Sequence, residues 1–142
     1  DEEGMRYVLS PDDEEVNELF NQATVFIQTS THEGFALPPL EAMATGGAVV
    51  CTDAHGNRDF CVDGENCLMP EQNPAAVSGA LSRLLADSEL RERLGRAGMR
   101  TAQGYAWDKR IDDLETFMTS VSRPSRVELD SGAVPEAQKT AR

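Results

Sequence analysis

The most constraining feature of this sequence is a pair of short, almost wholly apolar runs, Thr24-Val25-Phe26-Ile27-Gln28-Thr29 and Ala48-Val49-Val50-Cys51-Thr52, with one helix between them. Pro38-Pro39 can open that helix, Leu40, Met43 and Ala44 mark its apolar face, and Gly46-Gly47 closes it. Unbroken runs rich in β-branched and aromatic residues are the pattern of strands buried on both faces. Strand, helix, strand at this length is a parallel crossover, because parallel strands cannot be joined by a tight turn. The expected fold class is therefore α/β, a Rossmann-like parallel sheet with flanking helices, and residues 24–29 are the candidate central strand.

The flanks extend the alternation. Arg6-Tyr7-Val8-Leu9 is β-like, Ser10 can cap a helix with Pro11 in its first position, and Val16, Leu19, Phe20 and Ala23 keep helical spacing over about 11–22. After the Asp63-Gly64 turn, Cys67-Leu68-Met69 reads as a third short strand closed by Pro70. From Asn73-Pro74 onward the pattern is purely helical. The first stripe is Val77, Ala80, Leu81, Leu84 and Leu85; the second is Leu90, Leu94, Ala97 and Thr101; the third is Trp107, Ile111, Leu114, Met118 and Val121. Asp87-Ser88 divides the first two helices, Gly104 the last two, and Trp107 is expected as a core anchor. Residues 122–142 have no period and few large apolar residues, so the domain is expected over 6–121 with a polar C-terminal tail.

With 142 residues there is material for about one domain. Leu, Ile, Val and Phe together number only 29, so the core is thin. Thirteen basic against 25 acidic residues give a net charge of −12, which argues against nucleic acid and anionic membrane surfaces as partners. The first 18 residues alone hold eight acids against Arg6, leaving the rest of the chain less polarised. Cys51, Cys61 and Cys67 form an odd set without a CxxC pair, as expected for free thiols in a reducing cytoplasm. No apolar run reaches the roughly 20 residues of a membrane span.

The segment carrying chemistry is His32-Glu33-Gly34-Phe35-Ala36-Leu37-Pro38-Pro39-Leu40-Glu41. It leaves a strand and opens a helix, and in parallel sheets ligands sit beyond the carboxyl ends of strands. Gly34 admits a ligand close to the backbone, while the amides of Gly34 to Leu37 lie where a helix dipole favours phosphate. Glu33 and Glu41 are separated by a loop and can flank a ligand; a carboxylate accepts two hydrogen bonds, which suits vicinal hydroxyls. His32 and a loop Arg58 read as solvated side chains, and His55, Cys61 and Cys67, spaced by six, lack the short spacing of a structural zinc site. No metal or other cofactor is implied.

These residues carry a resemblance. Glu33-Gly-Phe-Ala-Leu-Pro-Pro-Leu-Glu41, with Ala42-Met43-Ala44-Thr45-Gly46 and a strand behind it, resembles the Glu-x7-Glu pattern of retaining glycosyltransferases with the GT-B fold. Asp63-Gly64-Glu65-Asn66-Cys67-Leu68-Met69-Pro70 is similar to a second segment of that family, and Tyr105-Ala106-Trp107-Asp108 to a third. The resemblance implies the C-terminal, nucleotide-sugar-binding part of an enzyme that transfers a hexosyl group from a nucleotide-diphosphate sugar to an acceptor. Glu33 would be the catalytic-site carboxylate on donor-sugar hydroxyls, Phe35, Ala36 and Leu37 would offer amides to sugar and diphosphate, and Glu41 would hold the ribose. Chemistry would rest on positioning the donor and stabilising the departing diphosphate. The family's acceptor-binding N-terminal domain and phosphate-gripping Arg and Lys have no counterpart here, so the chain alone is expected to be inactive. Ala36 and Cys67 stand where glycine is frequent, and Asp59 where glutamate is. A non-catalytic sugar-nucleotide-binding or assembly module, and a nucleotide-sugar epimerase, remain as rival readings.

Overall fold

The computed structural model describes residues 4–121; the polar tail expected over 122–142 lies outside the described residues. Helix α1 (Asp13–Gln22) leads to strand β1 (Val25–Gln28), helix α2 (Leu37–Ala44) and strand β2 (Ala48–Cys51), followed by α3 (Pro74–Ala86), α4 (Ser88–Gln103) and α5 (Trp107–Val121). The chain divides into a unit ending at Trp107 and a second beginning at Asp108. The order is the predicted α/β alternation.

The crossover forms as the sequence dictates. β1 and β2 pair in parallel with Val25 opposite Ala48 and Gln28 opposite Cys51. α2 begins with prolines in its first turn, where a missing N–H costs nothing, and ends in a Schellman turn. There Gly46 takes φ 84°, the Gly46 amide donates to Met43 O (3.1 Å) and the Gly47 amide to Ala42 O (3.1 Å).

The expectation of a central strand at residues 24–29 is corrected: centrality falls to β2. All four β2 residues are buried, whereas β1 is only half-buried and Ile27 is exposed. Among the described residues β2 has β1 on one side and the Leu68 bridge on the other, so the Cys67-Leu68-Met69 run supplies a bridge rather than a full strand. Alternate β2 side chains enter two cores. Val49 and Cys51 join Leu40, Ala42, Met43, Phe60, Cys61 and Cys67, while Ala48 and Val50 join Leu68, Leu84, Leu90 and Leu94. This two-sided burial is why β2 reads as an unbroken apolar run.

Local caps set the helix boundaries. Asn73 Oδ1 accepts from Ala76 N (2.8 Å) at α3, and Asp87 Oδ1 from Leu90 N (2.9 Å) at α4. α1 starts later than Ser10-Pro11 suggests. Its cap is Asp12, which accepts from Glu15 N at 2.9 Å, whereas Ser10 adopts φ 51° and is exposed. Arg6-Leu9 forms no strand: no partner ladder reaches it among the described residues, and Tyr7 and Leu9 stay exposed.

The third helical stripe exists, with α5 starting at Trp107, but the expected core anchor is corrected. Trp107 is 77% exposed, and no residue of α5 is buried. No helix among the described residues is long and apolar enough to cross a membrane.

Candidate functional site

The site is assembled where two loops meet beyond the carboxyl ends of β1 and β2. Glu33 opens the first loop. Its amide donates to Ala54 O (2.8 Å) and it bridges in parallel to His55, so the first loop is stitched to the second. The second loop is held from inside by Asn57, a fully buried polar residue whose Nδ2 donates to Thr52 O (2.9 Å) and whose Oδ1 accepts from Ala54 N (3.1 Å). Buried amides are kept only when bonded this way. Thr52 Oγ1 adds a bond to Ser30 O (2.8 Å), tying the second loop back to the end of β1.

Close approach of the loops depends on Gly56. A Cβ there would lie 2.6 Å from Glu33 O and 2.7 Å from Gly34 O, both backbone atoms. The neighbouring His55 takes φ 65°, a left-handed conformation that few non-glycine residues adopt. Its ring stacks on His32 with centroids 5.4 Å apart. Both histidines are exposed at the mouth of the loops.

Glu33 is half-buried, and Gln28 Nε2 donates to its Oε1 at 2.8 Å and to Ser30 Oγ at 3.0 Å. Gln28 Oε1 is buried without a hydrogen-bond partner among the described residues. The amide orientation is therefore fixed by its two acceptors. Gln28 was not singled out from sequence; the available signal was a polar residue ending an apolar strand at the edge where ligands bind.

Gly34 and Phe35 are exposed and Ala36 is buried. Ala36 N donates to Gly56 O at 3.4 Å and Leu37 N to Phe35 O at 3.0 Å, so these two amides are engaged within the protein. The Phe35 ring packs against Phe60 (5.5 Å) and Tyr105 (6.1 Å), an aromatic wall that spacing alone did not reveal. Tyr105 Oη donates to Asp59 O at 2.8 Å. Glu41 lies exposed on α2 and makes no side-chain hydrogen bond or ion pair among the described residues.

Arg58 is not a free cation. Its Nε and Nη2 donate to the two Asp53 carboxylate oxygens at 2.7 and 2.8 Å. The paired guanidinium, aided by the His55 amide, holds the Asp53 carboxyl down at about 2. The sixfold-spaced set His55, Cys61 and Cys67 does not gather. Cys51 takes the place of His55, and the three cysteine sulfurs cluster beneath the loops.

Two parallel strands joined through a helix, with a carboxylate-bearing loop at their carboxyl ends, define a Rossmann-type α/β domain. A family model described as glycosyl transferases group 1 matches residues 2–101, and the chain belongs to that family. A D-inositol 3-phosphate glycosyltransferase from Streptomyces bingchenggensis is 34% identical over 97 residues, 68% of this chain and 21% of the relative. Sucrose-phosphate synthase from Thermosynechococcus elongatus superposes with a TM-score of 0.65 at 27% identity, over 73% of this chain and 27% of that one. Anabaena HepE, solved in complex with UDP and glucose, shares the fold with a TM-score of 0.70 at 18% identity, over 75% of this chain and 30% of its own. The chain thus spans less than a third of each of these relatives, and its solved structural neighbours are GT-B glycosyltransferases.

Proposed function

We propose that this chain is the donor-binding portion of a retaining GT-B glycosyltransferase, which transfers a hexosyl group from a nucleotide-diphosphate sugar with the help of an acceptor-binding domain elsewhere in the parent protein. The observation that carries the reading is the loop from Glu33 to Leu37, pinned by Gly56 at the carboxyl ends of both strands and running straight into α2. Family membership and neighbours solved with UDP support it.

In this reading Glu33 accepts hydrogen bonds from donor-sugar hydroxyls, with Gln28 holding its other lone pairs in place. Gly34, Phe35, Ala36 and Leu37 border the sugar and diphosphate. The Ala36 bond to Gly56 O is long, and a phosphate oxygen at the positive end of α2 replaces it at small cost. Glu41 takes the ribose hydroxyls, consistent with a carboxylate left without protein partners. No side chain acts as a covalent nucleophile; the chain contributes positioning, and phosphate cations come from the rest of the parent. The setting is a reducing cytoplasm, in keeping with three free cysteines.

Calorimetric titration of the parent protein with nucleoside diphosphates and their sugars tests this. Glu41→Ala is expected to weaken donor affinity by about tenfold to a hundredfold, the loss of hydrogen bonds to a charged group. Unchanged affinity removes Glu41 from the site. The 142-residue chain by itself is expected to transfer no sugar, and turnover by the pure chain would overturn the division of labour.

A further inference from the structure

Three thiols from separate segments meet in the core below the donor loop: Cys51 at the end of β2, Cys61 in the loop after it, and Cys67 in the segment bridged to β2. Their sulfur atoms all lie within 4.8 Å of one another, and Cys51 and Cys61 share a hydrogen bond at 3.5 Å. All three are buried and none is in a disulfide. Three sulfurs bonded at about 2.3 Å to one centre in their plane stand about 4.0 Å apart, and closer if the centre is pyramidal. The observed spacing brackets that value. Side-chain shifts of under about 1 Å would close the cluster on a single atom.

We propose that Cys51, Cys61 and Cys67 form a binding site for a trivalent thiophilic metalloid of the arsenite class, held by three sulfur bonds. Charge selects this class over other soft ions. Arsenous acid exchanges its three hydroxyls for three thiols: three As–O and three S–H bonds break, three As–S bonds form, and each thiol proton leaves with a hydroxide as water. Arsenic stays trivalent and the product is uncharged. Zinc(II) on three thiolates would bury one negative charge and copper(I) two, and the cluster's apolar neighbours Leu40, Ala42, Val49 and Phe60 offer no cation to balance them. Zinc also demands a fourth ligand. Among the described residues, the group of potential ligands at this place comprises the three cysteines alone.

The same geometry already places the Cys51 and Cys61 sulfurs in direct hydrogen-bond contact. Cys61 is also tied to the second site loop, its amide donating to Asn57 O at 2.8 Å. A filled site therefore fastens that loop to the Cys67 segment.

The reduced 142-residue chain is titrated with arsenite and examined by native mass spectrometry and arsenic X-ray absorption. One arsenic per folded chain, gained with loss of three hydrogens and surrounded by three sulfurs without oxygen, is expected, together with a higher melting temperature. Cys51→Ala, Cys61→Ala and Cys67→Ala should each weaken retention at least about tenfold, a loss that even an outer-shell partner can cause, and leave a two-sulfur adduct with one hydroxyl. Cys→Ser at each position, checked by far-UV circular dichroism, gives the same readout if an alanine variant unfolds. Failure of the folded chain to retain arsenic, a first shell of fewer than three sulfurs, full retention by Cys67→Ala, or chelator-resistant binding of zinc(II) in its place would overturn the proposal.

Discussion

Gly56→Ala is the substitution that most directly probes how the two site loops are held. The added methyl carbon would stand 2.6 Å from Glu33 O and 2.7 Å from Gly34 C and O. Going from 2.6 Å to the 3.4 Å of ordinary contact requires the loops to part by about 0.8 Å. No flexible side chain is there to absorb the movement, because the opposing atoms are backbone fixed by the Glu33 N to Ala54 O bond. Overpacking of this kind costs about 1 to 3 kcal/mol of stability. A displacement near 1 Å at groups that orient a substrate costs roughly a hundredfold in rate. Urea denaturation of the chain measures the first quantity and donor titration with transfer assays on the parent the second. Gly79→Ala is the control: its Cβ meets nothing within 4 Å and sits inside α3, so a gain of about 0.5 to 1 kcal/mol is expected. If Gly56→Ala behaves like Gly79→Ala in stability and leaves donor affinity unchanged, the loops are not held by close backbone contact.

Three further outcomes follow from packing and charge. Leu94→Ala empties a position with no solvent exposure in the core shared with Leu84, and should cost about 2 to 5 kcal/mol in denaturant midpoint analysis. Trp107→Ala, at a residue 77% exposed, should change the stability of the unit ending at Trp107 by no more than about 0.5 kcal/mol. Asp53, drawn from the ordinary 3.8 to about 2 by Arg58, makes its pairing contribution above the unfolded pKa and loses it as pH falls through about 2. NMR titration of its carboxyl should show that Arg58→Ala returns the midpoint toward 3.8.

Much of the frame was legible because its causes are local. Pro38-Pro39 opening α2, Gly46 closing it, and the Asn73 and Asp87 caps are decided within a few residues of chain, where propensity and capping act. The site was legible in part for the same reason: a loop between an apolar strand and a proline-opened helix has only one place to go in a parallel sheet. Its partners were not legible. Gln28 meets a Glu33 five positions further along the chain, and Gly56 and His55 meet the first loop only because β1 and β2 are in register.

The sequence by itself therefore determined the α/β alternation, the ends of α2 and the caps of α3 and α4, and the placement of Glu33 through Leu37 at a strand's carboxyl end. Tertiary structure decided which strand is central, giving that role to β2 because it is covered on both faces by α2 and by the α3 and α4 side. It also decided that Trp107 is exposed, that Arg58 is spent on Asp53, and that Cys51 rather than His55 completes the thiol cluster. Periodicity and capping are properties of neighbours along the chain, whereas burial, ion pairing and the meeting of three sulfurs depend on residues that only the folded backbone brings within reach.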